Sequence, residues 1–139
     1  YTLNHMHFDH VGIIVKELEK AREIFQDDFP GFSVTEVFLD EGIGVKIQFL
    51  EYKNGNRIEL IEPLSSKSLL GSVLEKRNSS KIHHLAYLCR NIEDTCNDFR
   101  KKGYGFLTKF YNAKAFNGAR IIFLLSPLNF IIELIENND

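Results

Sequence analysis

The chain repeats itself. Shifted by 74 residues, His10 falls on His84, Phe25 on Phe99 and Gly31-Phe32 on Gly105-Phe106. At the same offset Gly44 to Leu50 falls on Gly118 to Leu124, and Ile58-Glu59-Leu60-Ile61-Glu62 on Ile132-Glu133-Leu134-Ile135-Glu136. No gap is needed between residues 7–62 and 81–136, and 14 of those 56 positions are identical. Register held over that span marks a duplicated module. A half of 56 residues buries too little surface to fold well alone. The expectation is therefore one domain over 7–136, made of a first module (7–62), a connecting segment (63–80) and a second module (81–136).

Each copy carries the same order of elements. Phe8 to Val15 is a mostly apolar, β-branched run that predicts a buried strand. Apolar residues at 18, 21, 24, 25 and 29 form a helical stripe, ended by Pro30-Gly31. Phe32 to Phe38, Val45 to Tyr52 and Arg57 to Ile61 read as further strands, with Asn54-Gly55 signalling a tight hairpin. The second copy repeats this as a strand over 82–89, a helix over 92–102, and strands near 105–111, 119–125 and 130–136. The unit is βαβββ, twice. Within the connecting segment, Leu69, Leu70, Val73 and Leu74 predict a short amphipathic helix.

Composition narrows the function classes. Seventeen basic against 19 acidic side chains give a net charge of −2, which disfavours a nucleic-acid partner. No apolar run approaches the roughly 20 residues of a membrane span. Cys89 and Cys96 match neither a redox nor a zinc-ribbon spacing and read as buried core thiols. No signal peptide is visible, His5-Met6 resembles a cloning junction, and a cytoplasmic location is the expectation.

Polar residues break the strand pattern at matching places. His10 and His84 lie in the first strand of each copy, Glu59 and Glu133 in the last. Glu133 stands among Phe130, Ile131, Ile132, Leu134 and Ile135, and a buried ionised carboxylate is costly unless paired or metal-bound. A lone strand histidine is ordinarily a hydrogen-bonded core residue. One His and one Glu per copy at a common offset change that reading, because pseudo-twofold packing would gather all four at one centre. Two imidazoles and two carboxylates suit Ni, Co, Mn, Fe or Zn and leave open positions for catalysis. Asp9 and His83 face the other way and read as supporting or surface groups. Glu62 and Glu136 read as solvated strand ends. Lys46 and Arg120 occupy equivalent places and read as solvated rim charges, with phosphate or carboxylate binding as the alternative.

These features resemble the vicinal oxygen chelate superfamily, which includes glyoxalase I, methylmalonyl-CoA epimerases, extradiol dioxygenases and bleomycin-resistance proteins. The methylmalonyl-CoA epimerase family looks most similar. Phe8-Asp9-His10-Val11-Gly12-Ile13, Ile58 to Leu64, Ile82-His83-His84-Leu85-Ala86-Tyr87 and Ile132-Glu133-Leu134 carry the likeness. It implies an α+β fold in which the tandem modules form an eight-stranded, incompletely closed, barrel-like sheet. It also implies a divalent metal on His10, Glu59, His84 and Glu133. The implied chemistry is proton abstraction next to a carbonyl through a metal-stabilised enediolate, with Glu133 as base. A homodimer and an acyl-CoA thioester substrate follow from the same likeness.

One departure opens a second reading. The strand after Gly44 reads Val45-Lys46-Ile47-Gln48-Phe49, without the acid that epimerases of this kind usually carry. Glyoxalase I chemistry on a thiol hemithioacetal can use the ligand carboxylates, here Glu59 and Glu133, as acid and base. Against that, Ser126-Pro127-Leu128-Asn129 replaces the turn common in glyoxalase I. A non-catalytic, drug-resistance-type binding protein is a third reading, disfavoured by the complete donor set. A ring-cleaving dioxygenase is disfavoured by the second carboxylate.

Overall fold

The computed structural model describes residues 6–65 and 81–137. The helix expected around Leu69 to Leu74, like Tyr1 to His5, lies outside the described residues. The fold is mixed α+β, with two helices and ten strands among the described residues. In chain order the elements are β1 (Met6–Ile14), α1 (Leu18–Asp28), β2 (Phe32–Val34), β3 (Phe38–Asp40), β4 (Val45–Tyr52) and β5 (Arg57–Pro63). Then come β6 (Lys81–Cys89), α2 (Ile92–Lys101), β7 (Gly105–Phe106), β8 (Tyr111–Ala113), β9 (Ala119–Leu125) and β10 (Ile131–Glu136). A 3₁₀ turn, Lys114–Phe116, links β8 to β9. No described helix is long and apolar enough to cross a membrane.

Ten strands replace the expected eight because the second strand of each copy breaks in two. β2 pairs with residues 50–52 of β4 and β3 with residues 45–47. Between them, Thr35 Oγ1 accepts from the Phe49 amide at 3.1 Å, so a side chain replaces a ladder bond. Thr108 Oγ1 does the same for the Phe123 amide at 3.1 Å, between β7 and β8. Between β2 and β3 the register on β4 slips by one residue, from Phe32↔Tyr52 to Phe38↔Ile47, as at a β-bulge.

Two compact units divide the chain. One gathers described residues between His10 and His83, and the other those from His84 onward with the start of β1 through Asp9. In the first, the strand order runs β2-β4-β5-β1, with β3 also on β4. β1 runs parallel to β5 from Val11↔Ile58 to Ile14↔Ile61. The β4–β5 hairpin turns at Asn54-Gly55, where Gly55 has φ of 90°; that left-handed conformation favours glycine. In the second unit the order is β6-β10-β9-β7, with β8 on β9. β6 runs parallel to β10 with Leu85 opposite Ile132, the register of Val11 and Ile58 moved on by the repeat.

Each unit buries one sheet face under its helix. Val15, Leu18, Leu50 and Leu60 form the first core, with Phe25 and Ile58 packed against it. Cys89, Ile92, Leu124 and Leu134 hold the same places in the second, with Phe99 packed against it. Fully burying each such aliphatic side chain stabilises by about 1.5–3 kcal/mol. The stripe of α1 is narrower than its apolar residues suggest, because Ile24 and Phe29 are exposed. The thiols of Cys89 and Cys96 are free and buried, as expected. Burial pushes both up to about 11, which keeps them protonated and poorly nucleophilic.

The charges expected to be solvated are instead built into the fold. Lys46 Nζ lies 3.2 Å from Glu19 Oε1 and 3.8 Å from Glu62 Oε1. Arg120 repeats the triad: Nη1 reaches Glu93 Oε1 at 2.7 Å and Nη2 reaches Glu136 Oε2 at 2.8 Å. Neither base is a solvated rim charge. Glu62 also accepts from the Leu18 amide at 2.7 Å, filling an open donor at the start of α1. Glu136 is likewise hydrogen-bonded by the backbone of Ile92 at the start of α2.

Arg120, donating to the Glu136 carboxyl, holds it below its ordinary value of 4.5. A carboxyl lowered in the folded state contributes stability above its unfolded pKa and loses it as pH falls through the folded one. Urea unfolding of the wild type followed below pH 4.5 is therefore expected to lose stability that Glu136→Gln already lacks at pH 7. Parallel pH profiles for the two proteins would show that the pair contributes nothing.

Candidate functional site

The site residues arise from the two parallel strand pairs. On β1, His10 and Gly12 share a face, since side chains alternate along a strand. Gly12 is the cross-strand neighbour of Glu59 on β5. With no side chain at Gly12, the imidazole of His10 reaches across, and its Nε2 lies 3.3 Å from Glu59 Oε1. The other copy does this with an alanine. Ala86 is the neighbour of Glu133, and His84 Nε2 lies 3.1 Å from Glu133 Oε1.

Aromatic walls complete each pair. Phe49 on β4 stands directly opposite Glu59 and meets the His10 ring edge-on at 5.1 Å. Phe123 stands opposite Glu133 and meets His84 at 5.1 Å. These walls went unremarked as site residues in the sequence, although both are identical positions of the repeat. His10 is 0%, Glu59 3%, His84 2% and Glu133 3% exposed. A carboxylate so far from water is costly unless it is paired or metal-bound. Together the four side chains are a buried His–Glu–His–Glu set that could hold a metal ion.

The remaining expected groups fall elsewhere. His83 is buried and so is not a surface group, while Asp9 is half-buried. Lys46 and Gln48 face α1: Gln48 accepts from Arg22 Nη1 at 2.8 Å and donates to the Thr35 carbonyl at 2.8 Å. The face of β4 that carries Phe49 also carries Val45, Ile47 and Glu51, and Glu51 pairs with Arg57 at 3.2 Å. The missing carboxylate of that strand is therefore not replaced by Gln48. Arg57 was also passed over in the sequence, although it shares the face of Glu59 and its guanidinium lies 4.0 Å over the Phe49 ring.

A model of the glyoxalase/bleomycin resistance protein/dioxygenase superfamily matches residues 9–123. Mouse mitochondrial methylmalonyl-CoA epimerase is 32% identical over 116 residues, covering 84% of this chain and 64% of that protein. The chain thus spans less than two thirds of that relative's length. A hypothetical protein from Bacillus halodurans superposes with a TM-score of 0.84 at 26% identity, covering 97% of this chain and 96% of its own. A variant of Streptomyces coelicolor methylmalonyl-CoA epimerase, in complex with 2-nitronate-propionyl-CoA, superposes with a TM-score of 0.78 at 26% identity. That match covers 95% of this chain and 97% of the other.

Proposed function

Because the chain belongs to the glyoxalase/bleomycin resistance protein/dioxygenase superfamily, we propose that it is a divalent-metal-dependent epimerase of the methylmalonyl-CoA epimerase type. His10, Glu59, His84 and Glu133 hold the metal. The observation that carries this is the burial of two His–Glu pairs of the same build, at 3.3 and 3.1 Å. Two imidazoles and two carboxylates are a donor set for Ni, Co, Mn, Fe or Zn, and a dication offsets the cost of keeping Glu59 and Glu133 ionised away from water. Likeness to epimerases, one of them bound to an acyl-CoA analogue, supports an acyl-CoA thioester as the substrate. The homodimer implied by the sequence resemblance belongs to the same proposal.

When bound, the metal supplies a Lewis acid beside the carbonyl oxygen of the thioester. Glu133 takes the proton from the carbon next to that carbonyl, and a protonated acid returns one to the opposite face. Phe49 and Phe123 exclude water from the two pairs, which strengthens every charge interaction between them. Glu59 is the second carboxylate of the set; Glu51, on the Phe49 face of β4, pairs with Arg57 instead.

The test is metal analysis of the purified protein, followed by incubation of the metal-loaded protein with methylmalonyl-CoA in deuterated water. Stoichiometric metal and deuterium at the α-carbon are expected. A metal-loaded protein that exchanges nothing sinks the epimerase reading. Conversion of a methylglyoxal–thiol hemithioacetal to its thioester would replace it with the glyoxalase I reading, for which a set of two His and two Glu is equally suited.

A further inference from the structure

The two copies part company beside the site. Arg57 stands opposite Glu51 across the β4–β5 ladder. The second copy has Ile131 opposite Leu125 at the same place. One wall therefore carries a cation that the repeat does not require. The Arg57 guanidinium lies 4.0 Å over the Phe49 ring, and that ring meets His10 edge-on. Arg57 is two residues before Glu59 on the same strand face. Its side chain is 23% exposed, and Nε lies 3.2 Å from Glu51 Oε2.

A guanidinium fixed on an aromatic face keeps a planar fork that matches a carboxylate. Glu51, with a side chain 42% exposed, can return to water at small cost, because exposed ion pairs contribute little. A substrate anion can then take its place on Arg57. We propose that Arg57 is the specificity residue of this site, selecting substrates whose acyl group bears a carboxylate. This deepens the epimerase reading and rests on it. A methylglyoxal hemithioacetal carries no charge at that position, so Arg57 would gain nothing from it.

Methylmalonyl-CoA and propionyl-CoA differ by that carboxylate alone, and calorimetric binding of each to the purified protein tests the proposal. The wild type is expected to prefer methylmalonyl-CoA by about tenfold or more, the scale of one charge-assisted hydrogen bond. Arg57→Met should bring the two ligands within about twofold. Arg57→Lys should keep part of the preference, and Glu51→Gln should widen it by removing the competitor. No preference in the wild type, or one retained by Arg57→Met, overturns the proposal. If Arg57→Met does not fold, an unchanged preference in both Arg57→Lys and Glu51→Gln overturns it instead. A preference that follows Arg57 in a protein without α-proton exchange would support the carboxylate site and sink the epimerase reading alone.

Discussion

Glu133→Gln is expected to lower exchange of the substrate α-proton with solvent by about 10²–10⁴-fold, the usual contribution of a positioned general base. The amide keeps the shape and an oxygen donor but cannot accept the proton. Because Glu133 is 3% exposed and 3.1 Å from His84, the change also removes a buried negative charge. Metal content separates the two effects. Retained metal with lost exchange assigns Glu133 as the base, and lost metal with lost exchange assigns it as a ligand only. His84→Ala is expected to lose bound metal outright. A Glu133→Gln protein that exchanges protons at the wild-type rate would end the assignment.

Leu50→Ala and Leu124→Ala should each cost about 2–5 kcal/mol in stability. Both leucines are 0% exposed and hold repeat-equivalent places under α1 and α2. Truncation leaves a cavity that the packed β-sheet face cannot collapse to fill. We propose that residues 7–136 unfold as one domain, so both substitutions should shift a single denaturant transition by similar amounts. Two separate transitions, each sensitive to one substitution only, would show that the halves are independent domains.

Much of this was legible because the repeat doubles every signal. Val45 to Tyr52 and Ala119 to Leu125 begin and end where the sequence pattern places them. Asn54-Gly55 turns where its residue types demand. That His10, Glu59, His84 and Glu133 break the strand pattern at matching places was legible as equal spacing in two copies. Neither histidine could have been picked out alone.

Other features were hidden for physical reasons. The break of the second strand of each copy is marked by no turn residue, since the hydroxyl of Thr35 or Thr108 takes the place of one ladder bond. Glu62 looked solvated because its two partners, the Leu18 amide and Lys46, come from other elements; the first lies 44 residues away in the chain. Arg57 was overlooked because only a cross-strand view puts it over Phe49.

The repeat at 74 residues determined by itself that the fold is a βαβββ unit made twice, and that each unit carries one His on its first strand and one Glu on its last. Local pattern can do that, because strand faces and helix stripes depend on near neighbours. Tertiary structure decided which charges hold the fold together. Lys46, Arg120, Glu62 and Glu136 look solvated in the sequence, yet they hold a helix to a strand end. Which partner a charge meets depends on elements tens of residues apart, and only the packed sheet brings those together.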